Sequence, residues 1–445
     1  MKNSLKIFLL IVVSVFSINC IAQIPETTAS SSHRLNIKVL IDSLCSSINK
    51  HYIFPQKGIQ ISKYLKEQYN KGVYGGIKDP NKLAYQFIGD VRKVHYDSHF
   101  NIIYQQPSEP KPEQNLNERE EQMKNEMAFE KASNFNFKKL EILPGNIGYM
   151  QFNGFTGNIE GAKPTLTAAM TFLKNSKAII IDLRYNGGGS PEMVNQVESY
   201  FFKERVHMVD MVNTFSKDTM SLYTDPTSTD GLSLSMPIYI LTSKNTFSGA
   251  EDFSYAMQTL KRATVVGETT GGRAHAAIPF SIGQGFTARI PFARPINPIT
   301  LKDWEGVGVI PDISVAASGA LAKAQENIYL DLLTKAKTEK ETRIIQWAIH
   351  DLIAKTRPPH LTIAELEKYS GTFTGGISFY VENGCFLCKN PDRGGTDIFK
   401  LQPVTESVFL LDENAQIEFI KDSYGKCSSI KMLWIDGNVT TKRRE

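Results

Sequence analysis

The sequence predicts a layered α/β core preceded by a helical segment and followed by a small all-β segment. Three observations carry this prediction: helical periodicity over residues 35–104, short apolar runs alternating with amphipathic stretches over 147–266, and brief alternating runs between turns after Tyr369. The boundaries read as 33–104 for the helical segment, 105–136 for a polar linker loop and 137–325 for the core. A helical linker at 326–360 and the β segment at 361–445 complete the chain. At 445 residues, with 41% hydrophobic and 22% charged side chains, the composition is that of a globular protein too long for one ordinary core.

The first 22 residues stand apart. Lys2 and Lys6 precede an apolar run over 7–16 that ends at polar Ser17 and Asn19, which reads as a secretory signal cleaved after Ala22. The run is shorter than the roughly 20 apolar residues a spanning helix needs, so no membrane-spanning segment is expected once it is removed. The protein is therefore expected in the periplasm or outside the cell. Cys20 suggests lipid anchoring, but it follows Asn19 rather than a small residue, so anchoring is the lesser reading. Without the two lysines, 48 of the 50 basic residues face 46 acidic ones, a balance that implies no nucleic-acid partner.

Within the helical segment, Leu83, Phe87, Val91 and Val94 share one face after a start at Pro80 and Asn81. Cys45 lies among Ile37, Leu40, Ile41, Leu44 and Ile48 and reads as a small buried apolar residue. Residues 107–126, rich in Pro, Glu, Gln, Asn and Lys, read as a solvated loop. The core alternates strands at 147–152, 178–183, 237–242 and 263–266 with helical faces such as Leu166, Ala169, Met170 and Leu173. Ser190 and Pro191 occupy the cap and first-turn positions of another helix. Helix resumes after Val315 until Arg357, Pro358 and Pro359 break it, and turns such as Asn383-Gly384 and Asp436-Gly437 mark the β segment. There Cys385 and Cys388, three apart in a strand, point to opposite faces. With no second pair zinc is not expected, whereas a disulfide to Cys427 is admissible.

Four stretches carry chemistry. Thr246-Phe247-Ser248-Gly249-Ala250-Glu251 follows an apolar strand and opens a helix, which puts the Ser248 hydroxyl where unpaired N–H groups stabilise negative charge and makes the Gly249 N–H an oxyanion donor. The plainer reading of Ser248 is a helix N-cap. The glycine loop 182–189 lacks the spacing of a dinucleotide loop and the lysine of a P-loop, so it suits an oxyanion better than a phosphate. Asp97-Ser98-His99 supplies an imidazole, and residues 304–312 place the Glu305 carboxylate among turn-forming residues. A metal site from His95, Asp97 and His99 is a further reading, set aside because no other ligand cluster accompanies it.

Together with residues 52–58 and 267–272, these stretches resemble, in order and over roughly 35–325, the serine-peptidase family of the C-terminal processing peptidases, the tricorn protease core and interphotoreceptor retinoid-binding protein. The resemblance implies a ClpP/crotonase-like core, a peptide or protein substrate and no cofactor. It implies Ser248 as nucleophile, His99 as general base, Ser98 orienting the imidazole, Glu305 polarising Ser98, and Gly188 and Gly249 as oxyanion donors. Arg273 stands where processing peptidases carry a catalytic lysine, and a guanidinium stays protonated, so the histidine route is preferred. Arg273 and His275 are then expected to meet substrate, and His275 is also a second candidate base. The segment between Phe100 and Leu140 is too short for a PDZ module. The alternative on the same fold is an inactive carrier of an apolar ligand.

Overall fold

A computed structural model describes residues 35–106, 116–213, 218–393 and 397–445. The signal expected over 1–22 lies outside them. The chain begins with three helices, α1 (Ile37–His51), α2 (Pro55–Asn70) and α3 (Pro80–Val94). Asp79 caps α3 by accepting from the N–H groups of Asn81 and Lys82, and Pro80 takes the first turn, where its missing N–H costs nothing. The chain then forms strand β1 (Asn101–Tyr104). Where a polar loop was expected, helix α4 (Leu116–Ala132) runs almost to the core. Its charged residues are good helix formers with no strong apolar face, so apolar periodicity could not reveal it.

The core sheet has the order β11-β8-β7-β4-β3-β2. Its strands are β2 (Phe137–Leu143), β3 (Ile147–Phe152), β4 (Ala178–Asp182), β7 (Ile238–Thr242), β8 (Ala263–Gly267) and β11 (Ile313–Ser314). All neighbours pair in parallel except β2 with β3. Crossovers place α5 (Ile159–Leu173), α6 (Pro191–Ser199) and α7 (Gly249–Thr259) on one face, while α8 (Ala320–Lys335) and α9 (Glu339–Thr356) cover the other. Side-chain alternation decides the layers: Ile179 and Ile181 pack with Met170, Val194 and Phe253, whereas Ile180 packs with Ile328 and Ala348. A strand buried on both faces has to be apolar throughout, as β4 is. The helices expected as a linker are thus one wall of the core.

A second sheet has the order β1-β10-β5-β6, with β9 on β10. Its further members are β5 (His207–Asn213), β6 (Asp218–Tyr223), β9 (Ala276–Gly283) and β10 (Phe286–Ile296). Because β1 pairs with β10 from Asn101↔Arg289 to Tyr104↔Phe286, the helical segment is fastened to the core by backbone hydrogen bonds. The C-terminal strands form two sheets around Phe373, Phe379, Phe386, Phe409 and Phe419. They join α9 through Gln416, whose Nε2 donates to the Trp347 carbonyl at 2.8 Å. Cys45, Cys385, Cys388 and Cys427 are all free thiols, so the admissible disulfide to Cys427 is not formed. Among the described residues no helix is long and apolar enough to cross a membrane.

Candidate active site

The C-terminal ends of β4, β7 and β8 release three loops side by side, as parallel sheets do at their binding edge. Together with the turn after α3 they border a cavity of about 490 Å³ whose walls include Ser98, His99, Gly189, Ser248, Gly249 and Arg273. Three stretches far apart in the chain, carrying His99, the glycine loop and Ser248, therefore border one cavity.

Ser248 sits at the N-cap position of α7, but its backbone is at φ 50°, ψ −120° and its side chain makes no cap hydrogen bond. A non-glycine residue held there is strained. Glu251, fully buried, fixes the turn. Its carboxylate accepts from the N–H groups of Ser248 (2.9 Å), Gly272 (2.6 Å) and Arg273 (2.9 Å) and from the Thr270 hydroxyl (2.5 Å). Burial raises its pKa, and the four donors oppose that rise.

The glycine loop needs a correction. Gly188 donates its N–H to Asn186 Oδ1 at 2.8 Å, so it is not available to an oxyanion. Gly189, one residue on, lines the cavity, and among the described residues neither its N–H nor that of Gly249 has an acceptor. Only glycine fits at either position. A Cβ on Gly188 (φ +87°) would stand 2.6 Å from the Phe247 carbonyl oxygen, and one on Gly189 (φ +143°) 1.9 Å from that of Phe155. Counting glycines after a strand locates such a loop but not which N–H is left over, because that depends on Asn186, buried and anchored to the Phe152 carbonyl.

The opposite wall is built by charge. His99 Nδ1 faces Glu305 Oε2 at 3.8 Å, and its ring lies 5.6 Å from that of Phe247 beside the serine. Ser98 donates to Glu305 Oε1 at 2.9 Å. The contact expected between Ser98 and Glu305 is present, but among the described residues no hydrogen bond runs from Ser98 to the His99 ring. Glu305 faces the imidazole directly, because a glutamate is long enough to reach both neighbours. Burial alone would raise the Glu305 carboxyl, but His99, His275, the Ala274 N–H and the Ser98 hydroxyl outweigh it and lower the pKa to about 2.

His275 is neither a loop histidine in solvent nor free to act as a base. It is 2% exposed, with Nδ1 2.8 Å from Asp97 Oδ2, Nδ1 3.8 Å from Glu305 and Nε2 3.9 Å from Asp303. Burial depresses an imidazolium, but the carboxylates of Asp303, Asp97 and Glu305 prevail and raise the pKa to about 9. The 3.9 Å to Asp303 is too long for a hydrogen bond, so that attraction is coulombic. His275 is thus a buried cation that keeps Glu305 ionised. Arg273 is exposed, with its guanidinium 4.3 Å above the Phe247 ring.

Asp97, His99 and Glu305 hold ligand atoms within 4.8 Å of one another, a spacing that could suit a cation. Asp97, however, already accepts from His275, from Tyr52 (3.2 Å) and from the His99 N–H (3.0 Å), so His275 supplies the positive charge. His95 does not belong to the cluster. The helix ends at Val94, and the His95 ring meets the Tyr52 hydroxyl at 2.7 Å, which removes the helical spacing on which its pairing with His99 relied. Tyr52 and Asp303 are site residues that sequence reasoning passed over, and Asp97 was read only as a neighbour of His99 and a candidate metal ligand; the only signal for the other two was their place in the stretch 52–58 or beside Glu305.

The chain is similar to several processing peptidases. Chloroplastic carboxyl-terminal-processing peptidase 2 of Arabidopsis thaliana is 31% identical over 180 residues, 38% of this chain and 33% of its own length. The chloroplastic C-terminal processing peptidase of Tetradesmus obliquus is 25% identical over 245 residues, 52% and 49% respectively. The chain thus spans a third to about half the length of these relatives. A solved structure of the photosystem II D1 C-terminal processing protease overlaps 65% of this chain and 94% of its own, with 16% identity and a TM-score of 0.40. Residues 29–144 match the model of the N-terminal domain of peptidase S41 in eukaryotic IRBP, and residues 146–315, which hold Ser248, the glycine loop and Glu305, match that of peptidase family S41. With both models matched in sequence order over well over half of its length, the chain belongs to peptidase family S41.

Proposed function

We propose that the protein is an exported serine peptidase, acting in the periplasm or outside the cell, that hydrolyses peptide bonds through an acyl-enzyme at Ser248. The observation that carries this is Ser248 itself: a serine held in a strained backbone conformation and sharing one cavity with an imidazole whose Nδ1 is turned to a carboxylate. With Nδ1 facing Glu305, Nε2 of His99 is the nitrogen left to take the Ser248 proton as Oγ adds to the substrate carbonyl. The N–H groups of Gly189 and Gly249 receive the developing oxyanion. The imidazolium returns its proton to the amine as the peptide bond breaks, and water, deprotonated by the same nitrogen, releases the acyl group. Ser98 is a positioning residue on Glu305, and Arg273 holds substrate at the rim. The apolar-carrier alternative fits less well, because Arg273, Arg289, Asp252 and His99 all border the cavity.

A fluorophosphonate probe tests the reading. The expected result is one labelled peptide containing Ser248, together with cleavage of a mixed peptide library by the wild type and not by Ser248→Ala. An unlabelled, folded protein that cleaves nothing in the library would sink it.

A further inference from the structure

On α7, one turn beyond the proposed nucleophile, stands Asp252. Its N–H donates to the Ser248 carbonyl at 3.0 Å, so the two residues share a helix face. Asp252 borders the cavity, is only 8% exposed, and among the described residues its carboxyl has neither a hydrogen bond nor an ion pair. Such a group is costly to leave unpaired, and proteins rarely do so without a reason. The nearby acid, Glu198 of α6, is fully buried and brings no positive charge: burial and Asp252 together push the Glu198 carboxyl up. Burial pushes Asp252 up as well, and an arriving cation would offset that cost and favour its ionised form.

Resting on the peptidase reading above, we infer that Asp252 sets substrate specificity by receiving a Lys or Arg side chain from the residue whose carbonyl Ser248 attacks. The side of the cavity decides which residue this is. The leaving amine must depart beside His99, the group that protonates it, on the wall carrying residues 98–101 and 274–277. The acyl residue is left with the other wall, built from the glycine loop, Pro191 and α7, where Asp252 lies. A cationic side chain entering there supplies both the missing charge and the missing donors. The exposed cations Arg273 and Arg289 also border the cavity and repel a cationic side chain placed against them, which leaves Asp252 as its acidic partner there.

The test uses internally quenched peptides that differ only in the residue before the cleaved bond, Lys, Arg or Leu, with kcat/KM measured for the wild type, Asp252→Asn and Asp252→Leu. The expected wild-type ratio favours Lys and Arg over Leu by about tenfold to a hundredfold, flattens in Asp252→Asn and reverses in Asp252→Leu. Because each ratio is taken within one preparation, a partly folded variant does not distort it. Burying leucine in place of an unpaired acid is also expected to be tolerated. A wild type that prefers Leu, or a ratio unmoved in both variants, overturns the inference while leaving the peptidase reading intact. A wild type that cleaves no peptide and is not labelled at Ser248 overturns both.

Discussion

The two walls of the cavity are held by different forces. The wall of Ser248 is fastened by hydrogen bonds to fixed backbone groups: Glu251 gathers four donors, and Asn186 ties Gly188 to the Phe152 carbonyl. The wall of His99 is fastened by charge, with Asp97, Asp303 and Glu305 arranged around one buried imidazolium, His275. The first wall therefore owes its shape to fixed donors gathered on one buried carboxylate, Glu251, whereas the second depends on carboxylates gathered around one histidine.

The sharpest way to break this comparison is to exchange the roles of the two histidines. His99→Ala should lower kcat by about ten-thousandfold and abolish acylation of Ser248. His275→Gln, which removes a charge and leaves the base, should lower kcat by only about ten- to a hundredfold. Labelling that survives in His99→Ala and vanishes in His275→Gln would make His275 the base. Next in size is Glu251→Gln, whose amide must point a donor at groups that are themselves donors. Loss of about a hundredfold in kcat and about 1–3 kcal/mol in urea unfolding is expected, with the kcat loss nearly constant across pH.

A pH titration of stability addresses the charged wall. The folded pKa of His275, about 9, lies above its ordinary value near 6.5, so its stabilisation is complete below about 6.5 and is lost as pH rises through about 9. Denaturant midpoints of the wild type should fall over that window, and those of His275→Gln should not. Parallel curves would show that the wall does not rest on this charge. The smallest effect is expected at the rim. Arg273→Lys keeps the charge but loses the planar stack over Phe247, so KM should rise about fivefold with kcat unchanged. A rise in kcat would instead point to lysine serving as a base.

Much of this was legible in the sequence because it depends on local chemistry. Ser190 and Pro191 open α6 as read, with the Ser190 hydroxyl accepting from the Met193 N–H at 3.3 Å. The motifs singled out by their order carry Ser248, His99 and Arg273, which border one cavity, and Glu305, which faces His99. Helix α4 was missed because its residues share no apolar face, and β10, which forms a local hairpin with β9, takes its other partners, β1 and β5, from distant parts of the chain.

By itself the sequence determined many of the core's strands and helices and which residue types can act as nucleophile, base and carboxylate, since periodicity and side-chain chemistry are properties of neighbours along the chain. Tertiary structure alone decided that Gly189 rather than Gly188 presents its N–H, that Glu305 faces the imidazole without Ser98 between them, and that His275 is a buried cation. Each of these turns on a hydrogen bond or burial created by residues remote in sequence. A difference of a few tenths of an ångström, or the exclusion of water, changes which group is free to react, and spacing along a chain does not encode either.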